Sequence, residues 1–246
     1  MAISRGSLLV IGVAGGALLL AGATAVWVWS RQAPKVPGMA FIRGGTFASG
    51  SDKRPIDVKS FYIDITEVSN VDFAAYCVDS ASCKPPSGAP DLPVVGITVE
   101  QARAYAASKG KRLPTAFEWE RAAQGSEDGA RYPWGFAEDA SFANVADNPL
   151  LKSHQLMPVR SFAAYPEYQM TGNAWEMVEG TVTPDGNAVA KFFGLLSPPP
   201  TAEERWIEIR GGSFNTPIAA SGNDDAQQIP ERYSAPDIGF RCARNP

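Results

Sequence analysis

Trp206-Ile-Glu-Ile-Arg210, running into Gly211-Gly-Ser-Phe-Asn-Thr-Pro217, is the stretch that decides the fold. Apolar and charged residues alternate up to Arg210, the period-two signature of a strand, and that strand delivers a Gly-Gly-Ser turn. The chain has three cysteines, Cys77, Cys83 and Cys242, and none falls just after the turn, where the side chains include the alcohols of Thr216 and Ser221. Outward from there, Ile56-Asp-Val-Lys-Ser-Phe-Tyr-Ile63 alternates in the same way and predicts a second strand region. Three helices are signalled by their first turns. Ser69 with Asp72, Thr98 with Gln101 and Thr115 with Glu118 each place an oxygen at the N-cap and an acceptor three residues on, so that orphan N–H groups find partners. The second helix carries Ala102, Tyr105 and Ala106 on one face and stops at Lys109-Gly110. The third carries Trp119, Ala122 and Ala123 and stops at Gly125, where glycine takes a left-handed cap at little cost.

A length of 246 residues allows one globular domain of about 200 residues after a short N-terminal segment. The formal charge of -4, with no Lys/Arg run of five or more, lacks the electrostatic footprint of a nucleic-acid binder. With 23 glycines, 20 prolines and 45% hydrophobic residues the chain reads as loop-rich but packed.

From Ser7 to Trp29 no charged residue interrupts a mostly apolar run, which as a helix would cover about 34 Å, enough for a bilayer core. A cleaved signal peptide is the competing reading, because Arg5, the apolar Leu8 to Leu20 and the small-x-small Ala23-Thr-Ala25 fit its pattern. Val26-Trp-Val-Trp29 favours retention, since Trp27 and Trp29 followed by Arg31 and Lys35 look like interfacial anchors. Positive charge on the two flanks is nearly balanced and leaves orientation open. Gly12 and Gly16 have a spacing that permits close helix packing. The organisation expected is a transmembrane anchor over 1–30, a Pro-punctuated linker over 31–38 and a domain over 39–246.

Cys77 and Cys83, with five residues between them, lie at the end of a helix and the start of a Pro-rich loop. That spacing closes readily into a local disulfide and suits an oxidising compartment; two reduced, packed thiols are the alternative. The expected location is a bacterial inner membrane, single-pass, with the domain in the periplasm.

Many segments in order carry a family resemblance: Phe41-Ile-Arg-Gly-Gly-Thr-Phe47, Thr66-Glu-Val-Ser-Asn70, Pro93-Val-Val-Gly96, Lys111-Arg-Leu-Pro-Thr115, Glu118-Trp-Glu120, Tyr132-Pro-Trp-Gly135 and Pro158-Val159. Met170-Thr-Gly-Asn-Ala-Trp-Glu176, Arg210-Gly-Gly-Ser213 and Gly239-Phe-Arg-Cys-Ala-Arg244 complete them. Together they resemble the formylglycine-generating (sulfatase-modifying) enzyme family over about residues 38 to 244. The resemblance implies a single α+β domain with sparse regular secondary structure, related to C-type-lectin-like folds and stabilised by calcium in the enzymes.

Those enzymes oxidise a cysteine of a client sulfatase to formylglycine, with two thiolates that hold copper; soft thiolates suit copper(I). Aligned from the Gly-Gly-Ser turn, the two cysteine positions fall on Thr216 and Ser221, protonated alcohols that are poor ligands for a soft metal. No copper and no formylglycine-generating activity are therefore expected, and Cys242 reads as a packed core thiol. A related branch uses a three-histidine iron site, and this chain has only His154, so no iron is expected. His154 lies in a loop-like stretch with no evident orienting carboxylate for a hydrolase with Ser213. Glu203-Glu204 and Asp224-Asp225 read as solvated charge.

For calcium, which takes carboxylate and carbonyl oxygens, the resemblance maps one site onto Gln169, Gly172, Ala174 and Glu176. A second maps its first ligands onto Asn144 and Val145, with Asp147 or Asn148 standing in for an aspartate. The alternative for Glu176 is a bond to backbone N–H groups or to an arginine. Trp119, Trp134, Trp175 and Trp206 read as core. Two insertions, Thr181 to Thr201 and Asn215 to Ser234, read as contact loops. The leading expectation is a non-catalytic, membrane-anchored accessory subunit that docks onto a larger integral membrane protein complex on the extracytoplasmic face. The alternatives are an extracytoplasmic enzyme with altered chemistry around Ser213, and a peptide- or glycan-binding regulatory module.

Overall fold

The computed structural model describes residues 33–80, 83–162 and 169–246. The expected anchor over 7–29 lies outside them, and among the described residues no helix is long and apolar enough to cross a membrane.

Among the described residues nine short strands make three sheets. β1 (Met39–Ile42), β4 (Phe61–Asp64) and β9 (Ala243–Arg244) form one in the order β1-β4-β9, both pairs antiparallel. β2 (Gly45–Ser49) and β3 (Arg54–Val58) form an antiparallel ribbon. β5 (Trp175–Met177), β6 (Trp206–Arg210), β7 (Ala226–Pro230) and β8 (Ile238–Gly239) form the largest, in the order β7-β6-β5-β8, with only β5 and β8 parallel. The alternating run 56–63, read as one strand region, is divided between two sheets. β3 ends at Val58, β4 starts at Phe61, and the two join different partners. At the division the backbone passes so close to Gly44 that an added Cβ would stand 2.5 Å from the Ser60 nitrogen, while Gly44 N–H donates to Ser60 Oγ at 2.9 Å.

Helices α1 (Asn70–Ser80), α2 (Val99–Ser108) and α3 (Ala116–Ala123) begin where their capping residues place them. Thr98 with Gln101 and Thr115 with Glu118 form complete capping boxes; ahead of α1, Ser69 Oγ donates to Asp72 Oδ2 and accepts from Asp72 N–H. Gly110 and Gly125 follow α2 and α3 in the left-handed conformation. The predicted disulfide is present between Cys77 of α1 and Cys83, with Cα atoms 4.9 Å apart.

Both insertions are partly regular. Thr181 to Thr201 contains α4 (Gly186–Lys191), capped by Asp185, whose carboxylate accepts from Ala188 N–H at 2.7 Å. Asn215 to Ser234 supplies β7, an edge of the four-stranded sheet.

The main core lies between α1, α2 and the four-stranded sheet, where Phe73 stacks on Tyr105 and both meet Phe240 edge-on. Trp175, Trp206 and Cys242 are part of it. A second core packs Trp119 and Met170 against Phe61, Ile63 and Ala243. Truncating any one of the largest of these side chains to alanine would cost about 3–5 kcal/mol, because lost transfer energy adds to the cavity left behind. Trp134 departs from its expected core role. It is half-buried, stacked on Tyr132 at 5.2 Å beside a small third cluster of Tyr132, Ala143, Val145 and Ile218.

Candidate functional site

β6 ends in the Gly-Gly-Ser turn, and both glycines are required by what surrounds them. Gly211 and Gly212 have φ of 91° and 75°, a region L side chains rarely adopt. A Cβ on Gly211 would stand 2.9 Å from the Trp119 ring, and one on Gly212 would collide with the side chain of Ser221. The turn therefore brings residue 221 back against its own start.

Ser213 is fully buried at the centre of this turn. Its hydroxyl donates to Asp237 Oδ2 at 2.9 Å and accepts from Asn215 N–H at 3.2 Å. Thr216 Oγ1 lies 3.1 Å from Ser213 Oγ. With the Ser213 proton committed to Asp237, Thr216 is the donor of that pair. Ser221 Oγ donates to the carbonyl of Pro217 at 3.0 Å. The segment is held from outside as well: Ala146 N–H donates to the Thr216 carbonyl, and Ile218 N–H donates to Asp147 Oδ1. Thr216 and Ser221 thus converge on one turn, both buried and both engaged in hydrogen bonds.

The remaining chemistry-bearing residues lie elsewhere. Cys242 sits in the main core, its N–H bonded to Asp64 Oδ2 at 3.1 Å. Burial, reinforced by the Asp64 charge, pushes its thiol well above the ordinary range. It stays a protonated core thiol, as expected. His154 is exposed in the 152–155 loop. Glu204 pairs with Arg232 at 2.8 Å, and Asp224 and Asp225 clamp Arg131 at 2.8 and 2.9 Å. The last pair is not simply solvated, since the Asp224 side chain is 8% exposed.

The segment 169–176 runs beside the turn. Gln169, Gly172 and Asn173 all have positive φ. Gly172 N–H donates to the Gly211 carbonyl at 2.7 Å, Asn173 N–H to the Asn144 carbonyl at 2.8 Å, and Phe214 N–H to the Asn173 carbonyl at 3.0 Å. The structure therefore brings together the residues mapped as calcium ligands, and the carboxylate among them, Glu176, is already engaged. Glu176 Oε2 accepts from Arg241 Nε at 2.6 Å and from Trp119 Nε1 at 2.8 Å, and Oε1 accepts from Arg241 Nη2 at 2.7 Å. Of the two readings of Glu176, the arginine partner is the one present. The Gln169 carbonyl accepts from Arg241, the Val145 carbonyl from Asn148, Asp147 from Ile218, and Asn148 Oδ1 from Leu150. Calcium takes carboxylate and carbonyl oxygens; with Glu176 bound at both oxygens by Arg241, the 169–176 set offers it no free anionic ligand. Gly172 and Ala174 enter that mapping through their backbone carbonyls, and Ala174 is buried beside Glu176.

Sequence reasoning missed Asp237, Asn173 and Glu67. Glu67 is 3% exposed; its Oε1 accepts from Asn173 Nδ2 at 2.8 Å, and its Oε2 has no partner. Burial pushes its carboxyl up to about 7, against the lowering pull of Arg241 and with further help from the Glu176 charge. One signal was available: an arginine between Phe240 and Cys242 in an apolar strand end calls for buried acids.

The sulfatase-modifying factor enzyme 1-like domain matches residues 27–246. The mouse protein named inactive C-alpha-formylglycine-generating enzyme 2 is 27% identical over 286 aligned positions, covering 84% of this chain and 85% of that one. The formylglycine-generating enzyme of Thermomonospora curvata is 28% identical over 298 positions, covering 88% and 97%. Among solved structures, PvdO from Pseudomonas aeruginosa superposes with a TM-score of 0.66 at 22% identity, covering 87% of this chain and all of its own, which establishes the shared fold. With the match spanning most of its length and the Gly-Gly-Ser turn built as described, the chain belongs to the sulfatase-modifying factor enzyme 1-like family.

Proposed function

We propose that this domain is non-catalytic and serves as a docking platform, held by the apolar segment 7–29 at a bacterial inner membrane. It faces the periplasm and contacts a larger membrane assembly. The observation that carries the reading is the state of Thr216 and Ser221, taken as the positions of the family's thiolates. Both are buried alcohols spent on structural hydrogen bonds, and Ser221 packs directly against Gly212. Neither ionises near neutral pH, so the pair offers copper(I) no soft anionic ligand. The likeness to a relative named inactive supports this reading; the likeness to a formylglycine-generating enzyme supplies the activity against which it is tested. The insertion 181–201 provides a contact surface, with Phe193 and Leu195 60% and 62% exposed.

Pure protein incubated with copper and a Cys-x-Pro-x-Arg peptide should produce no aldehyde, and aldehyde detected by hydrazide labelling would overturn the proposal. A second reading, an enzyme working through Ser213, draws on the Ser213–Asp237 hydrogen bond. It requires turnover that disappears in Ser213→Ala while the fold survives.

A further inference from the structure

We infer that the recess beside the first turn of α3 is a phosphoryl-binding site that takes a small phosphomonoester, of the size of glycerol phosphate. The recess holds about 370 Å³ and lies where the start of α3, the chain after β5 and the end of β6 meet, with Arg54 of β3 also in its wall. Glu179 N–H donates to the Pro114 carbonyl at 2.7 Å, which sets the segment 178–182 against the helix start. Binding there does not depend on the docking role.

An α-helix leaves its first N–H groups without intrahelical acceptors, and with the aligned peptide dipoles they favour an anion. The capping box of α3 satisfies only part of this need. Thr115 N–H goes to Glu118 Oε2 and Glu118 N–H to Thr115 Oγ1, while the N–H groups of Ala116 and Phe117 have no acceptor among the described residues. Both of these residues line the recess.

Arg210 points to a ligand independently of the helix. It lines the same recess, its side chain is 8% exposed, and its Nε has no hydrogen-bond partner. Its other nitrogens are engaged: Nη1 donates to the Asn223 carbonyl at 3.3 Å and stands 3.6 Å from Glu120, and Nη2 donates to Glu208 Oε2 at 3.1 Å. In a planar guanidinium Nε–H and one N–H of Nη2 share an edge, so Nε–H looks toward Glu208, itself a wall of the recess. A buried donor without an acceptor is costly, and a ligand oxygen supplies what the chain does not.

The charges facing the recess leave room for an anion. Its two acids are each paired with an arginine, Glu179 with Arg103 at 2.7 Å and Glu208 with Arg210. Arg54 binds only the exposed Asp52, and with a side chain 67% exposed it is free to turn to a ligand. Two backbone N–H groups and two guanidiniums, coming from separate elements, suit the three terminal oxygens of a phosphoryl group better than the two of a planar carboxylate. Glu208 Oε1 and the Thr181 hydroxyl remain to bond the hydroxyls of the ligand.

The full chain is reconstituted in phosphatidylcholine nanodiscs and titrated with glycerol 3-phosphate at constant ionic strength, with NMR following the backbone amides. Saturable binding that moves the Ala116 and Phe117 signals is expected. Arg54→Ala should weaken it about tenfold, through loss of one charge-assisted contact. Ala116→Pro removes one donor at a position that favours proline, since Thr115 before it is extended at φ −68° and ψ 161°. This variant too should bind about tenfold more weakly, without a lower unfolding midpoint. Acetate should compete at least about tenfold less well than phosphate. The same group can come from solution or from a lipid headgroup, and discs containing phosphatidic acid separate the two. Signals displaced before any addition assign the membrane as the source; signals displaced only by glycerol 3-phosphate assign a soluble ligand. No saturable binding up to about 10 mM, binding equally tight in both variants, or acetate competing as well as phosphate would overturn the proposal.

Discussion

Gly212 shows how tightly a single residue can be specified. Its φ of 75° is a conformation that alanine takes only at a cost, and the place a Cβ would occupy is filled by Ser221. Gly212→Ala should lose about 2–4 kcal/mol in urea unfolding, strain adding to overlap; a loss below about 0.5 kcal/mol would mean that Ser221 does not pack there. The convergence of Ser213, Thr216 and Ser221 could be read from sequence because all three lie within nine positions of one turn. Asp237, the acceptor of the Ser213 proton, could not. It lies 24 positions on, and no periodicity links a turn to a carboxylate on a separate loop. Glu67 and Asn173 stand 106 apart, beyond any local signal. The positions mapped as calcium ligands lie next to one another, and Glu176 takes the arginine partner that the sequence offered as its alternative, with Arg241, 65 positions away, not identifiable by any local signal.

At the level of elements, caps were the dependable guide. Thr115 N–H donates to Glu118 Oε2 at 2.9 Å, Glu118 N–H donates to Thr115 Oγ1 at 3.2 Å, and the same carboxylate binds Arg112 at 2.6 Å. Thr115→Ala should destabilise by about 1 kcal/mol, measured as a shift in denaturant midpoint with unchanged slope. Because the signal is local chemistry, it can be seen in the sequence at every helix that uses it. α4 carried the same kind of mark in Asp185 but is only six residues long, so no periodic apolar face announced it. The break in 56–63 falls where the alternation lapses: Lys59 and Ser60 are polar neighbours, β4 is buried at all four positions, and the hydrogen-bonding partners change there from β2 to β1 and β9. β7 reads as polar loop because an edge strand with Gln227 and Gln228 buries little.

For the molecule as a whole, the docking reading predicts that extraction of membranes in mild detergent recovers the chain with a stable protein partner. Replacing the exposed Phe193 and Leu195 by serine should release that partner without lowering the unfolding midpoint. A monodisperse monomer with no recoverable partner would count strongly against the reading. Fold class and family were legible because their motifs recur in order along the chain. A partner for the proposed docking role was not, because an exposed apolar loop does not say what would cover it.

β4 is flanked by strands from both ends of the domain, and Asp64 N–H donates to the carbonyl of Cys242, 178 positions later. A nascent chain emerging from a ribosome or a translocation channel therefore holds Phe61 and Ile63 uncovered until nearly all of the domain has been threaded out. Vectorial synthesis cannot complete this domain piecemeal. Its consolidation waits for β9.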